Sequence, residues 1–295
     1  MWLLVVLVAV MLVLVVCLVA QLRSDAGEQV LASPHGEVVP SRRAAGWPAV
    51  GFVLGVVAAV LVAQTGSLGR GLLVAPAAFA LCLLLGVLAG EMTVHAPSSG
   101  RRAALLERRQ ARDYLPARLT VIVTLGACLL LAVLTFTVLV GSADDMGRAG
   151  RVITTVCSPD QSASRGPWPG SYYALPLAAL VLVGLVASAA VLRQVSLRPR
   201  PAGTEGLGAV DDALRRRSAE AVVAAVGILV AVPFTGIAAV AALQLLGAPC
   251  APAWWAVPGW SLLALVPLLL LLAGWCFAVL VRLALPTSGS TGPRS

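Results

Sequence analysis

Seven long apolar runs take up most of this chain, at residues 2–22, 49–63, 71–90, 119–140, 174–192, 219–246 and 256–281, and almost no ionisable residue lies inside them. A helix rises 1.5 Å per residue, so about 20 apolar residues match the hydrocarbon core of a bilayer. A backbone in lipid must satisfy its own hydrogen bonds, and an α-helix does so within one segment. The runs therefore predict an all-α fold, a polytopic transmembrane bundle of seven helices. Hydrophobic residues make up 59% of the chain and charged residues 12%. Soluble domains average about 45–50% and about 25%. The loops reach roughly 30 residues, too few for an independent domain. One membrane domain over residues 1–285 is expected, with a disordered cytoplasmic tail at 286–295.

The net charge is +8, every basic residue is Arg, and the chain has no Lys and no Asn. A GC-rich coding bias accounts for that usage without a chemical requirement. The arginines are unevenly spread. Arg70, Arg148, Arg151 and Arg165 fall in one set of loops, and all the others fall in the alternate set or the tail. Basic residues near helix ends stay cytoplasmic. This rule places the N-terminus outside and the C-terminus inside. Trp2, Trp168, Tyr172, Tyr173, Trp254, Trp255 and Trp260 crowd the outer ends and Trp47 an inner end, as amphipathic rings favour headgroup depth. The first run lacks a basic leader and a small-residue cleavage site, so it reads as an uncleaved anchor.

Within the spans, Gly51 and Gly55 form one GxxxG and Gly86 and Gly90 another. Small residues four apart share a face and let backbones approach. The connection at 64–70 is short, so the second and third runs should form an antiparallel hairpin with these faces packed. The alternative is chance spacing in a chain with 28 glycines. Pro233 and Pro267 lie inside the sixth and seventh runs. Each removes a backbone donor, so kinks are expected there. With no charge nearby they read as bends, not as the broken helices of a carrier.

The loop at 193–218 contains Asp211 and Asp212 followed by Arg215, Arg216 and Arg217. Acid before base suits a helix dipole and i,i+4 pairing. The segment reads as a helical extension into the sixth run, with the arginine triplet on anionic headgroups. Residues 103–118 have a similar character and suggest a short interfacial helix.

Of six cysteines, Cys157 and Cys250 alone lie in loops. Two spans separate those loops, so both lie on one side, and the arginine placement makes that side extracytoplasmic, where disulfides persist. A Cys157–Cys250 disulfide is expected; the alternative is two unrelated thiols. Other chemistry is sparse. Glu91 and His95 share a spacing but a metal usually needs three or four ligands. Residues 203–208 are glycine-rich without the GxGxxG order or a preceding strand. Asp144 and Asp145 read as solvated acids. The sequence implies no catalytic residue, no cofactor, no metal and no nucleic-acid partner.

The Lys-free, Asn-free, Ala/Val/Leu/Gly/Arg-rich style and the segment Asp211-Asp-Ala-Leu-Arg-Arg216 resemble the uncharacterised polytopic membrane proteins of high-GC actinobacteria. The resemblance implies a bacterial plasma membrane and carries no activity. Dry spans and short loops favour a non-catalytic scaffold, accessory protein or complex subunit, with the lipid bilayer and other membrane subunits as partners. The alternative is a small-molecule transporter or permease subunit. An intramembrane enzyme is disfavoured, because the span hydroxyls (Thr120, Thr124, Thr135, Thr137, Ser188, Thr235) have no His, Asp or Lys beside them.

Overall fold

The computed structural model describes residues 42–66, 69–93, 114–197 and 207–284. In chain order these form α1 (Arg42–Ala63), α2 (Arg70–Thr93), α3 (Ala117–Val140), β1 (Ile153–Ser158), β2 (Gln161–Arg165), α4 (Ser171–Leu197), α5 (Leu207–Leu246), a 3-10 turn (Ala253–Trp255) and α6 (Ala256–Ala284). All six α-helices are long and apolar enough to cross a membrane. They coincide with six of the seven apolar runs. The run at 2–22, His95, residues 103–113 and the tail at 286–295 lie outside the described residues.

Successive helices alternate in direction. The α1–α2, α3–α4 and α5–α6 connections gather at one end with the strands, called here the hairpin end. The C-terminal ends of α2, α4 and α6 and the first turns of α3 and α5 lie at the other, arginine-rich end.

The bundle is organised around α5. Of its span Arg215–Leu246, 78% is buried, against 17% for the spans in α1 and α6. It packs on α2, α3, α4 and α6. Val222, Leu229, Val230, Phe234, Ile237 and Ala241 have no exposed surface. Leu229 seats over Gly184 of α4, and Gly227 receives Cys276 of α6. Helices without a water-driven hydrophobic force associate through such close packing. Pro233 and Pro267 both lie inside unbroken helices. Near Pro233 the Thr235 hydroxyl donates to the Ala231 carbonyl at 2.8 Å.

Helices α1 and α2 form the expected antiparallel hairpin, turning through Gly66 and Gly69 at φ of +79° and +73°. The contact centres on Gly51 and Gly86. A Cβ on Gly86 would lie 2.6 Å from the Gly51 Cα, and one on Gly51 would lie 2.8 Å from the Gly86 Cα. Gly55 lies against Phe79, whose ring meets Phe52 edge to face at 5.4 Å. Gly90 is buried.

The all-α expectation needs one correction. Strands β1 and β2 pair antiparallel between α3 and α4, with Ile153 opposite Arg165 and Thr155 opposite Ala163, and an irregularity between Val156 and Ser158. The physical reason lies in the segment itself. Val152 to Val156 is β-branched throughout, and Ser158-Pro159-Asp160 supplies turn chemistry.

Candidate functional site

Polar chemistry collects at the two ends of the bundle. At the hairpin end, Cys157 of β1 is joined to Cys250 in the α5–α6 turn, with Cα atoms 5.1 Å apart. Three further contacts hold the strands to the end of α5 and the turn after it. The Thr155 hydroxyl donates to the Pro249 carbonyl at 2.7 Å. Arg165 Nε donates to Gln244 Oε1 at 2.7 Å, and its Nη1 donates to the Gly247 carbonyl. These groups satisfy the carbonyls of Gly247 and Pro249, in the turn just after α5, and the Gln244 side chain.

Trp168 belongs to the same assembly. It was expected to mark headgroup depth, but it is fully buried and its indole N–H donates to the Thr137 carbonyl at 2.7 Å. It plugs the space between α3 and the strands. The solvated reading of Asp144 is also corrected: its side chain is only 7% exposed. Arg148 bonds it through the backbone N–H and through Nε, each at 2.8 Å. Desolvation alone would raise the Asp144 carboxyl, but the Arg148 hydrogen bonds and charge outweigh it and hold the group below its ordinary value. Asp145 stays exposed.

The disulfide gives a direct test of how the strands are anchored. Cys157→Ser is expected to free them and expose the turn at 158–161 to limited proteolysis in mild detergent. The helices should stay folded, because the unfolded reference of a membrane bundle retains its helices and gains little loop entropy from losing the bond. Unchanged proteolysis would assign the anchoring to Arg165 and Thr155 alone.

At the arginine-rich end, the first turns of α5 reach three neighbours. Arg215 is 1% exposed and its Nη1 donates to the Val195 carbonyl at 2.8 Å and the Ser196 carbonyl at 3.2 Å. Its guanidinium also sits 5.9 Å from the Tyr114 ring, and the Tyr114 hydroxyl donates to Asp212 Oδ1 at 3.3 Å. Arg217 donates to the Leu283 carbonyl, and Arg282 pairs with Glu220 at 2.6 Å. The open carbonyls at the ends of α4 and α6 are thus capped by cations from α5, where the helix dipole favours them. This corrects the headgroup expectation for Arg215, which is buried against protein carbonyls. Arg217 is half-buried on α6, and Arg216 is exposed. Sequence spacing cannot tell three consecutive arginines apart; helical phase does, since each turns 100° from the last.

Between α3, α4 and α5, on the arginine-rich half, lies a cavity of about 160 Å³ lined mainly by apolar side chains with Thr120, Thr124 and Ser188 among them. The Ser188 hydroxyl donates to its own helix at the Gly184 carbonyl, 2.7 Å away. Thr120 Oγ1 is buried without a partner. Among the described residues no group of three or more His, Cys, Asp or Glu side chains could hold a metal ion. No protein-family model matches the chain, and neither does any curated protein or any solved structure.

Proposed function

We propose that this chain is a multi-pass protein of a bacterial plasma membrane that serves as a non-catalytic scaffold or accessory subunit of a membrane complex. In this reading the hairpin end faces outward and the arginine-rich end faces the cytosol. The observation that carries it is the packed, apolar axis of α5, clamped by side-chain bonds at both ends. Around Pro233, the side chains of Leu229, Val230, Phe234 and Ile237 leave no exposed surface. A helix held this way keeps one shape, which suits a part that positions others. A carrier instead builds its site from discontinuous helices with polar groups at the midplane.

A second reading, a small-molecule transporter or permease subunit, draws support from the hydroxyl-bearing cavity near Thr120. The two are separated by purifying the tagged full chain in mild detergent at native expression levels. A recurrent stoichiometric partner supports the scaffold. A chain that runs alone and accumulates a solute in proteoliposomes supports the transporter and sinks the scaffold.

Orientation has its own test. A tag after Ser295 is expected to resist protease added to intact cells, and a tag inserted at Asp160 to be cleaved. The reverse pattern would overturn the assignment of sides.

A further inference from the structure

We propose that the arginine-rich end carries a binding site for one anionic phospholipid, with its acyl chain in the crevice between α3, α4 and α5 and its phosphate on Arg193 and Arg216. The inference rests on the six helices being membrane spans and is independent of the scaffold role.

The crevice offers the apolar part. Its walls include Thr120, Thr124, Leu185, Ala189 and Val223. Thr124 and Ala189 are exposed, so it opens sideways between α3 and α4, toward the lipid. Apolar cavities of about 150 Å³ stay dry and take up benzene-sized molecules. This one, at about 160 Å³, suits a segment of hydrocarbon chain and not a whole lipid. Inside a bilayer, hydrocarbon is the solvent that fills it.

The cations stand directly beyond it. Arg193 follows Ala189 by four residues, so it lies on the same face of α4, one turn nearer the helix end. Arg216 precedes Val223 by seven residues, which is two turns along the same face of α5. Both are exposed. The two helices are held side by side at this depth, because Arg215 bonds the carbonyls of Val195 and Ser196. Guanidinium forks match phosphate oxygens in pairs, and basic pockets between spans select anionic headgroups.

Thr120 supplies the intermediate contact. It stands in the first turn of α3, and among the described residues it is the only side-chain hydroxyl buried without a hydrogen-bond partner. A glycerol ester carbonyl lies between phosphate and chain and is the acceptor this hydroxyl lacks.

The test uses the full chain in nanodiscs of phosphatidylcholine with phosphatidylglycerol as the probe, followed by native mass spectrometry of lipid retained per chain. The wild type is expected to keep one phosphatidylglycerol against excess phosphatidylcholine. Arg193→Gln with Arg216→Gln should lower that retention about tenfold or more. Arg118→Gln with Arg282→Gln removes as much charge from the same end and should change it less than about twofold. Ala189→Phe, and separately the milder Thr124→Leu at the exposed mouth, should displace the chain with both arginines in place. Equal loss in the two arginine pairs would reduce the effect to diffuse leaflet charge and overturn the site. So would full retention in both filling variants. Cross-linking of Ala189→Cys to a second copy or to another protein would show a helix in the crevice and overturn the lipid assignment.

Discussion

Replacing Gly86 with valine is expected to part α1 from α2 and destabilise the bundle by about 3 kcal/mol or more. The added Cβ would meet the Gly51 Cα at 2.6 Å and the Trp47 carbonyl oxygen at 2.7 Å. Both are backbone atoms, so no side-chain rotation relieves the clash and one helix must move. Gly51→Val should cost a similar amount through the same contact, because its Cβ would meet the Gly86 Cα and the Cys82 carbonyl oxygen, each at 2.8 Å. The double variant should cost less than the sum, since the helices separate only once. Gly274→Val is the control. Nothing lies within 4 Å of its Cβ position, and a change of about 0.5 kcal/mol or less is expected there. Thermal unfolding in detergent reads all four. Equal stability of Gly86→Val and Gly274→Val would show that α1 and α2 are not in contact at these glycines.

Trp168→Ala should rank beside it. A fully buried indole replaced by a methyl leaves a cavity and costs about 3–5 kcal/mol, and here the Thr137 carbonyl also loses its donor. Trp168→Phe retains most of the volume and should recover most of the loss. Trp254, at 61% exposure, lies at the same end; Trp254→Ala should change detergent stability by well under 1 kcal/mol. Trp168 and Trp254 variants of equal stability would remove the indole from the core.

Much of this architecture is legible in the sequence because lipid imposes a blunt rule. Twenty apolar residues without a charge have few folds open to them, and all six runs among the described residues are helices, with α1 and α5 beginning at Arg42 and Leu207, well before the runs at 49 and 219. The Cys157–Cys250 pairing followed from parity, since loops two spans apart share a side. What escaped was local and depended on direction. The strands at Ile153–Arg165 have a readable β-branched run, yet a membrane pattern draws attention to long segments and away from short ones. Arg215 looked like its neighbours until α4 was placed beside it, and the burial of its charge is decided by the carbonyls of Val195 and Ser196. Trp168 looked like an interfacial ring. Only the tertiary contact with Thr137 turns it inward. In each case a one-dimensional pattern assigned the residue to an end of the bundle, and packing then chose between lipid, water and protein.

The central place of α5 has a consequence for how the molecule is made. A ribosome delivers helices in chain order, and this one emerges after α1 to α4. Until it arrives, the faces that α2, α3 and α4 turn toward it have nothing to lean on. The half-finished protein must therefore wait in the membrane with an open middle, shielded by lipid or by the insertion machinery. Arg215 can then catch the end of α4 at once, while the end of α6 meets Arg217 only after that last helix has also emerged. A chain cut short after α4 would keep the glycine contact of α1 with α2 but lack the helix on which α2, α3 and α4 all pack.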